Sequence, residues 1–393
     1  MSIFNSLGSN YNLKYVFKSL FSDVNGQNLK LKNYLEEKYK GKAILTYKGR
    51  EALTLALKIL NLPKESCVAI NGFTCFAVYK AIEEANCKPV CLDLEEKNSD
   101  LNFTPETLEK ILKENKNIKA VVVQNTLGYP CDIEKIAQIC AEKNLILIED
   151  LAHCIGTKYP DGREAGSVGD FVILSFSQDK VIDAVSGGAL IIRNKKYNNL
   201  TTQQFNNVNI YQQLKDKFYP LFTFKIRKGY DLVFGKIFHF ILKNLNLLPK
   251  LMQEGLYDFY SLPNWYCNLA LVEFSKLRQQ LNHRRKITQI YAKKLNNKIL
   301  KPNITEKIST SSNLRFPIFV ENLPAGRQDR GGLIKFLEKH KTFVSDIWYD
   351  DVSPECPNAV GISKKILNLP THINVSEKDA LAIAERINEW LKL

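Results

Sequence analysis

The hydrophobic positions of this chain alternate between two spacings. Short runs rich in Val, Ile and Leu occur at 43–47, 68–71, 89–94, 118–124, 145–150, 171–175 and 189–193. Between most of them the apolar positions recur every three or four residues, at 29–39, 51–60, 74–85, 105–114 and 133–143. Apolar runs buried on both faces, alternating with amphipathic helices, predict βα units and a mostly parallel sheet. The expectation is an α/β fold with a mostly parallel seven-stranded sheet. Ligands in such folds bind in the loops beyond the carboxyl ends of the strands. Residues 1–27 show no pattern, being interrupted at Gly8, Asn10 and Gly26.

After Arg193 the pattern changes. Residues 200–260 are an atypical insert rich in aromatic and basic side chains, with a strongly apolar stretch from Leu232 to Leu248 broken by Lys236, His239 and Lys243. Two readings stay open: a helical arm that packs on a partner subunit, or an interfacial helix making a peripheral membrane contact through residues 215–250. The stretch is too short to span a bilayer. Residues 265–296 read as one long helix. Strands at 313–320 and 342–347, a basic glycine-rich loop at 323–332, and helices at 333–340 and 377–391 then make a small α+β domain. The expected division is an N-terminal segment and large domain over 1–260, and a connecting helix with a small C-terminal domain over 261–393.

Composition narrows the partners. The 393 residues carry a formal charge of +14, which favours anionic ligands. The lysines are scattered, and no compact basic patch interleaved with aromatics points to nucleic acid. The nine cysteines are odd in number and lack a C-x-x-C pair, so free thiols in a reducing cytoplasm are expected, with no metal site. No leader-like start and no apolar run of about 18 residues is apparent.

The candidate chemistry lies at strand ends. Asp150 closes one apolar run and His153 follows it; Ser175 closes the next, and Lys180 comes five residues later. Strand ends carrying Asp, His, Ser and one Lys suit a lysine Schiff base with pyridoxal phosphate (PLP). That cofactor needs a lysine, a carboxylate opposite its pyridine nitrogen, donors for its phosphate and a cover for its ring. Lys180 and Asp150 supply the first two. Gly49 and Arg50, at a strand-to-helix turn, and Ser175 supply phosphate donors. His153 lies beside the ring, and an aromatic from the segment Phe73, Thr74, Cys75, Phe76 covers it.

The segments KGREALTLAL (48–57), FTCFAVYKAIEEANCKPVCLDL (73–94), IEDLAHCIG (148–156), GREAGSVGDFVILSFSQDK (162–180) and CPNAVGISKKILNLPTHINVSEKDA (356–380) resemble the PLP-dependent sugar aminotransferases of the DegT/StrS family. The resemblance implies PLP-dependent transferase fold type I and a homodimer with active sites at the subunit interface. It implies Lys180 as the catalytic, cofactor-linked lysine, Asp150 on the pyridine nitrogen, and Ser175, Gly49 and Arg50 on the phosphate, with His153 at a position that is commonly Gln or His. The implied reaction moves an amino group, usually from glutamate, to a keto carbon of a nucleotide-linked sugar in surface-glycan biosynthesis. The chain departs from the family pattern at three places. Cys75, followed by Phe76, stands where an aromatic is usual. Phe259 stands where an Asn is frequent. Trp348, before Tyr349, stands in place of a histidine, which makes Trp348 and Tyr349 the substrate-side candidates. Alternative readings are a PLP enzyme acting on a lipid-linked or other substrate at the membrane surface, and a PLP-bound sensor without catalysis.

Overall fold

A computed structural model describes residues 2–22, 24–95, 101–198, 203–249, 258–320, 329–344 and 353–392. Its centre is a seven-stranded sheet in the order Lys42–Thr46, Gly188–Ile192, Phe171–Ser175, Ile146–Asp150, Ile118–Val123, Cys67–Asn71 and Lys88–Leu92. The Gly188–Ile192 strand runs antiparallel to both neighbours, and the remaining pairings are parallel. Three of the five inner strands, Cys67–Asn71, Phe171–Ser175 and Gly188–Ile192, are buried at every residue. That is why they read as continuous rather than alternating apolar runs. Helices on both faces enclose them, one face packing around Leu31, Leu35 and Tyr266, the other around Leu53, Ala56 and Ile82.

A second core forms around the antiparallel pair Arg315–Phe319 and Ile366–Pro370. The helices Arg330–Lys339, Pro357–Lys365 and Glu377–Trp390 belong to it. The last opens with a reciprocal capping box between Ser376 and Asp379. The amino end joins this unit too, since Ile3 and Phe4 pair in parallel with Thr342 and Phe343.

Three local expectations change. The span 265–296 is two helices, Asn264–Ser275 and Leu277–Lys294, interrupted at Lys276. The first is apolar nearly all round and mostly buried; the second is basic with one buried stripe, so a single straight helix could not satisfy both environments. The patternless start contains a helix, Leu13–Leu20, whose Asn12 side chain accepts from the Tyr15 N–H at 3.0 Å. The helix expected from Glu51 begins at Gly49. Residues 323–328, Ile347, Trp348 and Tyr349 lie outside the described residues.

The insert forms two helices, Ile210–Gly229 and Phe234–Asn244, joined by a short turn at Tyr230–Leu232. The first packs on the Leu13–Leu20 helix. Among the described residues, no helix is long and apolar enough to cross a membrane.

Candidate active site

The first strand of the sheet runs into an extended residue, Lys48, and the helix Gly49–Leu60 starts immediately after it. Its first turn therefore offers N–H groups that have no partner within the helix. Ser175 ends the third strand and Gly188 starts the second, so that Thr46, Gly188 and Ser175 sit side by side. The approach is close: a Cβ on Gly49 would lie 2.8 Å from Ser175 Cβ and 3.1 Å from its Oγ. A Cβ on Gly188 would lie 2.7 Å from Gly49 Cα. Only glycine at both positions lets the Ser175 hydroxyl and the helix N-terminus converge. Arg50, half-buried, occupies the second position of that helix. Helix N-terminal N–H groups, a hydroxyl and a guanidinium make a seat for a phosphate.

Asp150 ends the neighbouring strand and is 4% exposed. Its Oδ1 accepts from the Ala152 N–H at 2.9 Å. Burial pushes its carboxyl up to about 6, against the opposing pull of that N–H and of Lys180. A buried carboxylate raised in this way gains from a cationic partner, and a protonated pyridine nitrogen is such a partner.

Lys180 follows a left-handed turn residue, Asp179, and is anchored from behind by the buried Val181 and Ile182. Its amine is pulled below the usual lysine range, chiefly by burial and in small part by Arg315; Cys75 and Asp150 oppose the shift. His153 is buried, and its Nδ1 accepts from the Leu127 N–H at 3.3 Å. Burial, then Lys180 and Arg315, hold its imidazole well below the usual range, so the ring is neutral. Asp150, His153, Lys180 and Cys75 thus share one electrostatic neighbourhood at the carboxyl edge of the sheet, next to the Gly49–Ser175 seat. This set fits PLP: a lysine poised to lose its proton, an anion for the ring nitrogen, and a phosphate seat.

The segment expected to cover a ring divides. Phe73 is buried in the second core, and Thr74 Oγ1 donates to Gln124 Oε1 at 2.5 Å. Cys75 caps the helix Phe76–Glu84 on the Lys180 side. Phe76 turns outward and stacks on Tyr79 of its own helix, with ring centroids 6.1 Å apart.

Three contributors carried no sequence signal. Ser9 donates to Asp179 Oδ1 through both its N–H (3.0 Å) and its hydroxyl (2.9 Å). Asn10 Nδ2 donates to Lys180 O at 3.1 Å and to Asp183 Oδ2 at 2.9 Å, and Tyr11 Oη donates to Asp183 Oδ1 at 2.8 Å. The patternless amino end therefore clamps the lysine loop. Glu51, in the first turn of the phosphate-side helix, is the second. It accepts from the Tyr47 and Tyr260 N–H groups at 3.2 and 3.3 Å, and burial pushes it up to about 7. Arg315 is the third, a fully buried guanidinium that donates to Asn5 O and acts on both Lys180 and His153.

The sequence pattern of one family matches residues 23–229 and 258–388. The chain belongs to the DegT/DnrJ/EryC1/StrS aminotransferase family. It is 22% identical over 361 residues to the GDP-perosamine synthase of Escherichia coli O157:H7, covering 91% of this chain and 88% of that protein. It is 33% identical over 143 residues to the GDP-perosamine synthase of Vibrio cholerae, covering 36% of this chain and 38% of the relative. In structure it is similar to the Helicobacter pylori aminotransferase PseC, with a TM-score of 0.71 at 16% identity and full coverage of both chains. Solved structures of the same fold include PLP forms, and the family's cofactor is PLP. The pattern omits residues 230–257, where the insert's second helix lies.

Proposed function

We propose that this DegT/DnrJ/EryC1/StrS family aminotransferase moves an amino group, with glutamate as donor, to a keto carbon of a nucleotide-activated sugar. The observation that carries the reading is Lys180 beside Asp150 and next to the Gly49–Ser175 seat. Two relatives named as GDP-perosamine synthases support a nucleotide-linked sugar as acceptor. Bound PLP supplies an electron sink for the carbon that loses its proton. The chain supplies the rest. Asp150 would hold the ring nitrogen in its cationic form. Gly49, Arg50 and Ser175 would grip the phosphate. His153, neutral and fixed through Nδ1, would sit beside the ring.

Lys180 Nζ takes the proton from the donor's α-carbon. A pKa lowered by burial makes it a better base near neutral pH than an exposed lysine. Cys75 shares the electrostatic neighbourhood of Lys180. Phe76, Trp348 and Tyr349 belong to the sugar side on their sequence positions. A cytoplasmic homodimer is the assembly in which we expect this site to work.

The test is the donor half-reaction. Purified protein loaded with PLP should lose its cofactor absorbance near the visible edge when glutamate is added, and recover it with a nucleotide-linked keto sugar. Lys180→Ala should abolish both changes. A wild-type protein whose cofactor spectrum ignores glutamate and every other amino donor would sink the reading.

A further inference from the structure

The Phe234–Asn244 helix lies in the part of the chain that the family pattern leaves out. At about 100° per residue, Phe234, Ile237, Ile241 and Leu245 share one side, with Phe240 at its edge. All five are exposed, Phe240 to 65% and Leu245 to 60%. The helix touches the protein through its opposite flank, where Gly235 and Leu242 are buried. This orientation is built in. A Cβ on Gly235 would strike Ile226 O and lie 2.6 Å from Gly229 C, so glycine alone permits the crossing of the two insert helices. Val233, before the helix, turns the chain at φ 61°, a strained value for a β-branched residue. Ring contacts run from Phe218 to Phe222, Phe238 and Phe234, so the apolar surface is continuous across both helices.

Charge identifies the occupant. Lys225, Lys228, Lys236 and Lys243 are exposed around this surface. The acids of the two helices and their turn are removed from it: Asp216 is buried, accepting from the Tyr47 and Tyr266 hydroxyls, and Asp231 pairs with Lys341. A second copy docked across a twofold axis through this face would set lysines against lysines. An anionic surface with an apolar interior would satisfy both the lysines and the rings. We propose that the Phe234–Asn244 helix seats the enzyme on an anionic lipid bilayer, with Phe234, Ile237, Phe240 and Ile241 entering the headgroup–acyl boundary and Lys236 and Lys243 on lipid phosphates. The proposal does not depend on which acceptor the active site takes.

The full chain, loaded with PLP, is tested by co-sedimentation with vesicles of phosphatidylcholine alone or mixed with phosphatidylglycerol. Binding to the anionic vesicles should exceed that to neutral ones by about fivefold or more, and should fall in about 0.5 M salt. Ile237→Ser with Phe240→Ser should abolish it, and Lys236→Gln with Lys243→Gln should weaken it, while both variants keep the wild-type cofactor spectrum and oligomeric mass. Protein that stays in the supernatant with either lipid overturns the proposal. So does binding indifferent to lipid charge or to Ile237→Ser with Phe240→Ser. A change in oligomeric mass caused by that double variant also overturns it, and assigns the face to a second subunit.

Discussion

Asn10 Nδ2 donates to the backbone carbonyl of Lys180 at 3.1 Å, tying the amino end to the loop of the candidate catalytic lysine. The same amide donates to the buried Asp183, and Arg284 donates to the Asn10 Oδ1 at 3.3 Å. Asn10→Ala leaves a buried carboxyl and a buried guanidinium each short of a partner. The loss should be about 2 kcal/mol in denaturant unfolding, because the lost bonds involve charged groups. The glutamate half-reaction should slow about tenfold, because the lysine is no longer held in register. A wild-type rate in this variant would show that the loop is fixed without the amino end.

Gly49→Ala tests the phosphate seat. The new methyl would meet Ser175 Cβ at 2.8 Å and Leu174 O at 3.3 Å, and backbone cannot yield cheaply. The expected outcome is a destabilisation of about 1–3 kcal/mol, as for overpacking elsewhere, together with weaker PLP retention in equilibrium dialysis.

Asp150 gives the site a pH dependence of known sign. With a carboxyl raised to about 6, the group is neutral below that pH and cannot pair with a cationic ring nitrogen. PLP affinity should therefore fall as pH drops through about 6, and Asp150→Asn should bind weakly at every pH. In the cofactor-free protein the direction reverses. Burial favours the neutral acid, so its stabilising contribution is full below the ordinary carboxyl value and is lost as pH rises through about 6. Thermal unfolding with and without PLP across pH 4–8 checks both halves.

Glu51 follows the same rule at higher pH. Its carboxyl is raised from 4.5 to about 7, so the stabilisation from the neutral form is present below 4.5 and lost as pH rises through about 7. Glu51→Gln keeps an acceptor for the Tyr47 and Tyr260 N–H groups and removes the buried charge. It should stabilise the protein by about 1–3 kcal/mol at pH 8 and leave it unchanged near pH 4, read from urea midpoints.

The alternation of apolar runs and helical periods was sufficient for the seven-stranded sheet, because strands buried on both faces admit few polar residues. The strand ends at Asp150 and Ser175 were legible for the same reason: a polar side chain closing such a run stands out. Their proximity in space was also implied, since consecutive strands usually become neighbours. The reversal of Gly188–Ile192 was not legible. Its short connection from Ser175 permits an antiparallel return, yet nothing in its residues distinguishes direction. The break at Lys276 was hidden because both flanking segments favour helix, and only their different burial separates them.

The sequence by itself determined which side chains could do the chemistry, since the types and spacing of Asp150, His153, Ser175 and Lys180 are local properties of successive strands. Tertiary structure decided what surrounds them. Ser9, Asn10 and Tyr11 reach the lysine loop across some 170 residues of chain. Arg315 arrives from the second core, and Phe76 turns away along its own helix. It also decided which face of the Phe234–Asn244 helix looks outward. The periodicity of that segment gives an apolar side, but only the Gly235 crossing fixes that side away from the protein. Long-range contacts of this kind are set by packing between elements and leave no period in the residues that make them.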